Sequence, residues 1–226
     1  SQCLMAVLSE IVNDQILLYP PAVDGTTFET VDDVIAELAE IFTELLSVRY
    51  SHCAKDILKV LAVAFRKFRF RANPDFLRPL EIVGEWRTNE ENFLEFRNEA
   101  EEAIGAAISS MGTDVVLGCL PLNLENPSDQ RPGRAWLLPL IRDNTRNTKL
   151  STFIDNLVPV SQMFQSKFEK LPKESVQLKI FQTVVDQVWS TLPHFCELPT
   201  DLRDSFTGSF ASELSSIMYT NVQSRT

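Results

Sequence analysis

The stretch "TVDDVIAELAEIFTELLSV", Thr30 to Val48, returns an apolar side chain every three or four residues. Val31, Val34, Ile35, Leu38, Ile41, Phe42 and Leu45 gather on one side of a 3.6-residue period, and Glu37, Glu40 and Glu44 on the other. Thr30, Asp32 and Asp33 suit its first turn, where acidic groups oppose the positive end of the helix dipole. Upstream, "LMAVLSEIVNDQI" (4–16) sets Leu4, Leu8, Ile11, Val12 and Gln15 along one stripe. Downstream, Ser51 is the expected cap of a helix carried by Ile57, Leu58, Leu61, Phe65 and Phe68 up to Phe70. "NPDF" (73–76) restarts helix, with Asn73 as cap and Pro74 at the first position.

"NEENFLEFRNEAEEAIGAAISSMG" (89–112) predicts a long amphipathic helix stopped by Gly112, and Thr113 opens a short one that ends at Pro121. Asn123 to Gly133 has the Asn, Pro, Ser, Asp and Gly content of a surface loop. Further helices are expected over 134–143, 149–170, 174–192 and 200–219, and no run shows strand periodicity. The fold class is all-α. Ten helices group into five antiparallel pairs of about 45 residues each, the length of a HEAT or armadillo repeat. The expected architecture is thus one α-solenoid segment over residues 1–226. Leu-Pro steps at Leu120, Leu138, Leu171, Leu192 and Leu198 supply the stops and kinks that stacking uses. A compact irregular bundle is the competing arrangement.

Hydrophobic residues at 44% and charged residues at 23% exclude wholesale disorder, and only 7 glycines leave little material for phosphate-cradling loops. A net charge of −10 disfavours adhesion of the whole chain to a polyanion, although local basic patches still contact phosphates. Cys3, Cys53, Cys119 and Cys196 show no paired spacing, so no zinc is expected; free buried thiols in a reducing compartment are. The start at Ser1, with no charged region or cleavage signal, reads as an internal piece of a longer chain. The weakly polar stretch Ala103 to Leu122 carries Gly112, Thr113, Asp114 and two serines, and reads as two helices meeting rather than a membrane span.

No catalytic constellation emerges. Phosphate-binding glycine motifs, the GxSxG elbow and HExxH are all absent. His52-Cys53 are adjacent and so diverge by about 100° on a helix, which disfavours a nucleophile-base pair; the other histidine, His194, lies close to Cys196. Paired carboxylates such as Asp32-Asp33, Glu90-Glu91 and Glu101-Glu102 fit solvated faces and helix starts. No enzyme activity, cofactor, metal or small-molecule substrate is expected.

Two basic clusters remain as candidates. Arg66, Lys67, Arg69 and Arg71 interleave with Phe65, Phe68 and Phe70, which need not all share one helix face. Such an end can grip phosphate and stack on an unpaired base, or merely compensate the helix dipole over a buried Phe stripe. Arg131, Arg134, Arg142, Arg146 and Lys149 gather around a loop and helix turn beside Asp143, Asn144 and Asn147. They either face a partner or form an internal network in which Arg142 pairs with Asp143 or a neighbouring acid and fixes the joint between two repeats.

The segment "MGTDVVLGCLPLNL…RPGRAWLLPLIRDNTRNTKLSTFIDNLVPV" resembles the signature of the ribosomal RNA-processing protein 12 family. The match rests on LPLNL at 120–124, then Gly133-Arg134-Ala135-Trp136-Leu137-Leu138-Pro139-Leu140, then Arg142-Asp143, and spans about residues 93–164. The resemblance implies a non-enzymatic HEAT-repeat scaffold of the nucleolus and nucleus, shuttling to the cytoplasm. It would associate with small-subunit precursor particles, pre-ribosomal RNA and assembly factors, supporting processing and export. A transport receptor bound to the Ran GTPase is the alternative. In this reading Trp136, Leu137, Leu138 and Leu140 pack inward at a repeat joint, Pro139 bends the helix, and some arginines face a partner.

Overall fold

The computed structural model describes residues 2–3, 25–89, 94–125, 127–128, 131–168 and 175–223. The helix expected over 4–16 and the step at Leu171 lie outside them. The described residues are helical and contain no named strand, only an isolated bridge between Ser128 and Arg131. Two compact units divide the chain, residues 1–145 and 146–226.

The first unit holds α1 (Gly25–Leu45), α2 (Ala54–Phe68), α3 (Leu77–Thr88), α4 (Arg97–Met111), α5 (Thr113–Cys119) and α6 (Leu137–Asn144). Helices two apart in the chain pack on one another: α1 on α3, α2 on α4, α4 on α6. Stacking of alternate helices in this way is how repeat arrays build a continuous core. Central to it is α4, whose residues Ala103 to Ile108 are all buried. Three alanines and Gly105 in that run let neighbours come close on every side, so the expected amphipathic face is absent there. At Gly105 an added Cβ would lie 2.8 Å from the Asn144 amide of α6, and at Gly84 of α3 it would meet Leu120 at 2.4 Å. Phe76 is the aromatic hub, with ring centroids 5.7, 5.6 and 5.3 Å from Phe42, Phe65 and Phe68.

Several local expectations change. The buried stripe of α1 is Ile35, Ala39, Phe42 and Leu46, while Val34 and Ile41 are 48% and 50% exposed. A 3-10 turn, Val48–Cys53, precedes α2, so Cys53 and not Ser51 stands at the N-cap, without a side-chain cap bond. Arg69 has φ +53°, which ends α2 at Phe68 and splits the basic run into a helix end and a 3-10 turn, Arg69–Ala72. The Asn73–Pro74 peptide is cis and α3 starts only at Leu77, with Phe76 at its N-cap. The four thiols are free, but Cys3, Cys53 and Cys196 are exposed rather than buried and Cys119 is half-buried.

The second unit runs from α7 (Leu150–Thr152) through a π-helical turn (Phe153–Leu157) into α8 (Val158–Phe168), then α9 (Val176–Phe195), α10 (Leu202–Ser205) and α11 (Gly208–Gln223). The helix expected over 200–219 is therefore broken at Phe206 and Thr207. Phe153 centres this unit, 5.5 Å from the rings of Trp189 and Phe195 and 6.4 Å from Phe210. Trp189 satisfies its buried end by donating from Nε1 to Ser161 Oγ at 2.7 Å.

Residues 146–149 and 197–201 lie together: Asn147 N–H donates to Glu197 O at 3.1 Å and Thr200 N–H to Thr148 O at 3.0 Å. The first turn of α7 has no cap from its own flank. Its Leu150 and Ser151 N–H groups donate instead to the Asp201 carboxylate, at 2.6 and 3.0 Å. Ser205 Oγ donates to the same carboxylate at 2.7 Å.

Candidate nucleic-acid interface

The two halves of the LPLNL and GRAWLLPL segments are the two ends of one closed loop. Arg134 N–H donates to Leu122 O at 2.8 Å, and Arg134 Nη1 donates to Pro121 O, also at 2.8 Å. Leu120 and Leu122 are buried at one end, Leu137 and Leu138 at the other. Gly133 belongs where it stands because a Cβ there would come within 3.2 Å of Leu124 Cδ2. Burial lowers the Arg134 guanidinium pKa, while Cys119, Glu85 and Glu81 beside it raise it. Cys119 is pushed up to about 11, by burial first and then Glu81, so its thiol stays protonated at neutral pH.

Trp136 is half-buried at the N-cap of α6, not enclosed. Its ring lies under the Arg87 guanidinium, 4.9 Å from the centroid. Arg87 has a 2% exposed side chain and donates from Nε to Glu101 Oε1 at 2.7 Å, while Arg97 reaches the same oxygen at 3.1 Å. Trp136 thus closes a set that joins α3, α4 and α6. Neither Arg87 nor the ion-paired role of Glu101 was legible in the sequence, where Glu101 read as a solvated carboxylate. Pro139 is the third residue of α6. N–H groups in a first turn have no intrahelical partner, so this proline costs no bond. Leu140 is half-buried.

The first basic cluster is largely engaged within the protein. Arg71 is 6% exposed and donates from Nε to Asp32 Oδ1 of α1 at 3.1 Å. Arg66 pairs with Glu102 of α4 at 2.9 Å, both side chains about half exposed. Lys67 and Arg69 are half-buried. Phe65 and Phe68 fill the core, whereas Phe70 is 55% exposed.

In the second cluster Arg142 donates from Nε and Nη2 to the two oxygens of Asp143, at 2.7 and 3.2 Å, a bond that raises its pKa. The Arg142 guanidinium is thus engaged within the protein. Arg131 is exposed at the loop bridge, where its N–H donates to Ser128 O and Oγ, at 3.0 and 3.1 Å. Arg146 and Lys149 are also exposed, in the second unit. The positions that meet solvent are therefore Arg131, Arg146 and Lys149, with Phe70 and the half-exposed Arg66 in the first cluster.

Among the described residues no three His, Cys, Asp or Glu side chains are placed to hold a metal ion, and no helix is long and apolar enough to cross a membrane.

A family model described as ribosomal RNA-processing protein 12, HEAT repeats, matches residues 1–226. The chain is 59% identical over its full 226 residues to ribosomal RNA-processing protein 12 of Saccharomyces cerevisiae, and spans 18% of that protein. It is 31% identical over 179 residues, 77% of its length, to human RRP12-like protein, of which it spans 14%.

Proposed function

The chain belongs to the ribosomal RNA-processing protein 12 HEAT-repeat family, and from that premise we propose that it serves ribosome biogenesis as part of a non-enzymatic scaffold. In this reading it associates with small-subunit precursor particles in the nucleolus and nucleus, touching pre-ribosomal RNA and assembly factors and supporting processing and export. The observation that carries it is the family match across residues 1–226, with helices and no named strand among the described residues.

RNA contact falls to the solvent-facing part of the two basic clusters. An exposed Phe70 in the same run as the exposed Arg66 and the half-buried Lys67 and Arg69 suits one unpaired base with its phosphates, since every base has a face to stack on a ring. Arg131, Arg146 and Lys149 supply further phosphate contacts. Arg71, Arg134 and Arg142 act within the protein through Asp32, Pro121 and Asp143.

The test is crosslinking of the complete protein to RNA in native precursor particles, mapped to residues. Crosslinks at 66–70 or at Arg131, Arg146 and Lys149 are expected. Crosslinks confined to other parts of the protein would make this segment a spacer and protein-docking surface. Tight binding to the GTP form of Ran, with none to pre-ribosomal RNA, would favour the transport-receptor reading instead.

A further inference from the structure

We propose that the solvent side of α1 is a docking surface for a basic amphipathic helix of a protein partner. Val34, Leu38, Ile41 and Leu45 follow one another at intervals of four, three and four, the spacing of a coiled-coil seam. Val34 and Ile41 are about half exposed, at 48% and 50%, and Leu38 and Leu45 are half-buried. The seam is not needed to hold α1, because Ile35, Ala39, Phe42 and Leu46 already bury a separate stripe against the first unit.

The flanks define the occupant. Asp33, Glu37, Glu40 and Glu44 are exposed along the seam, and none forms an ion pair among the described residues. No lysine or arginine occurs before Arg49. The chain's own residues 4–24 carry Glu10, Asp14 and Asp24 and no positive charge, so they cannot neutralise this rim. A second copy would set the same acidic rim against itself, and RNA would bring phosphates to carboxylates. Charge complementarity with this rim selects a helix with apolar seam residues and lysine or arginine on its flanks, seated as the partner strand of a coiled coil. The inference stands apart from the RNA-contact reading, since it concerns none of the same residues and can fail alone.

The experiment uses the complete protein and a fluorescein-labelled peptide of about three heptads, with Leu at a and d and Lys at e and g. A counterpart peptide carries Glu at e and g. Anisotropy should show binding of the Lys peptide only, weakening as salt rises. The double variant Val34→Ser/Ile41→Ser should bind about tenfold more weakly, with helical circular dichroism unchanged. Glu37→Lys/Glu44→Lys should transfer the preference to the Glu peptide, which a general loss of folding cannot do. Equal binding of the Lys peptide by both variants overturns the proposal. So does a gain of about tenfold on deleting residues 1–24, which would show the seam covered by its own chain. A dimer in light scattering that Ile41→Ser dissolves would assign the seam to a second copy and overturn it likewise.

Discussion

Arg87 shows what a single side chain demands of its surroundings. A guanidinium with 2% exposure is costly unless its charge and donors are met. Glu101 meets the charge, and the face of Trp136 lies 4.9 Å from the guanidinium. Trp136→Ala should therefore destabilise the protein by about 3 kcal/mol, through lost packing and an uncovered cation, as read from denaturant unfolding. Trp136→Phe keeps a ring under Arg87 and removes an indole N–H that is buried without a partner, so it should cost about 1 kcal/mol. Equal losses for the two would mean that the ring face matters little. Arg69 poses the opposite case: φ +53° is strained for any residue with a β-carbon. Arg69→Gly should relieve about 1 kcal/mol of backbone strain while deleting a cation from the first cluster. Intact stability with weakened RNA crosslinking would separate the contact role of this residue from any structural one.

At the scale of elements, periodicity located most helices because a packed helix needs its apolar residues on a stripe, whatever it packs against. It failed where the ends are decided by partners far away in the chain. Nothing near Lys149 announces how α7 is capped, since Asp201 does so from 50 residues further on. Burial works against the Asp201 charge, but bonds from the Ser151 and Ser205 hydroxyls and from the Ser151 and Leu150 N–H groups outweigh it. The carboxyl is held well below the usual carboxylate range. Such a depressed group stabilises the fold fully above its unfolded pKa of about 4, and the contribution is lost as pH falls through the lower folded value. Asp201→Asn should cost about 1–2 kcal/mol at pH 7, the worth of a helix cap. The gap between wild type and variant should close as pH drops from about 5 towards 2, in urea unfolding repeated along that range. A gap that stays constant with pH would remove the charged cap from the account.

Across the whole molecule the acidic excess falls within residues 1–145, while basic and acidic residues balance over 146–226. All-helical organisation and the two basic clusters were both legible in the sequence, because both are local patterns. Which cations reach solvent was not, because that depends on tertiary neighbours: Asp32 takes Arg71, and the Pro121 carbonyl takes Arg134. The exposure of Phe70 beside two buried phenylalanines was set the same way. An acidic body that touches RNA at a few exposed cations should bind with shallow salt dependence, since each phosphate neutralised on a single strand contributes about −0.7 to the slope of log K against log salt. Arg131→Gln with Arg146→Gln should make that slope shallower by about 1.4, measured with a single-stranded ribosomal RNA oligonucleotide and the complete protein. Arg142→Gln, which removes a guanidinium already bound to Asp143, should leave the slope unchanged. If Arg142→Gln flattens the salt dependence and the double variant does not, the contact lies on the helix and not at its exposed flanks.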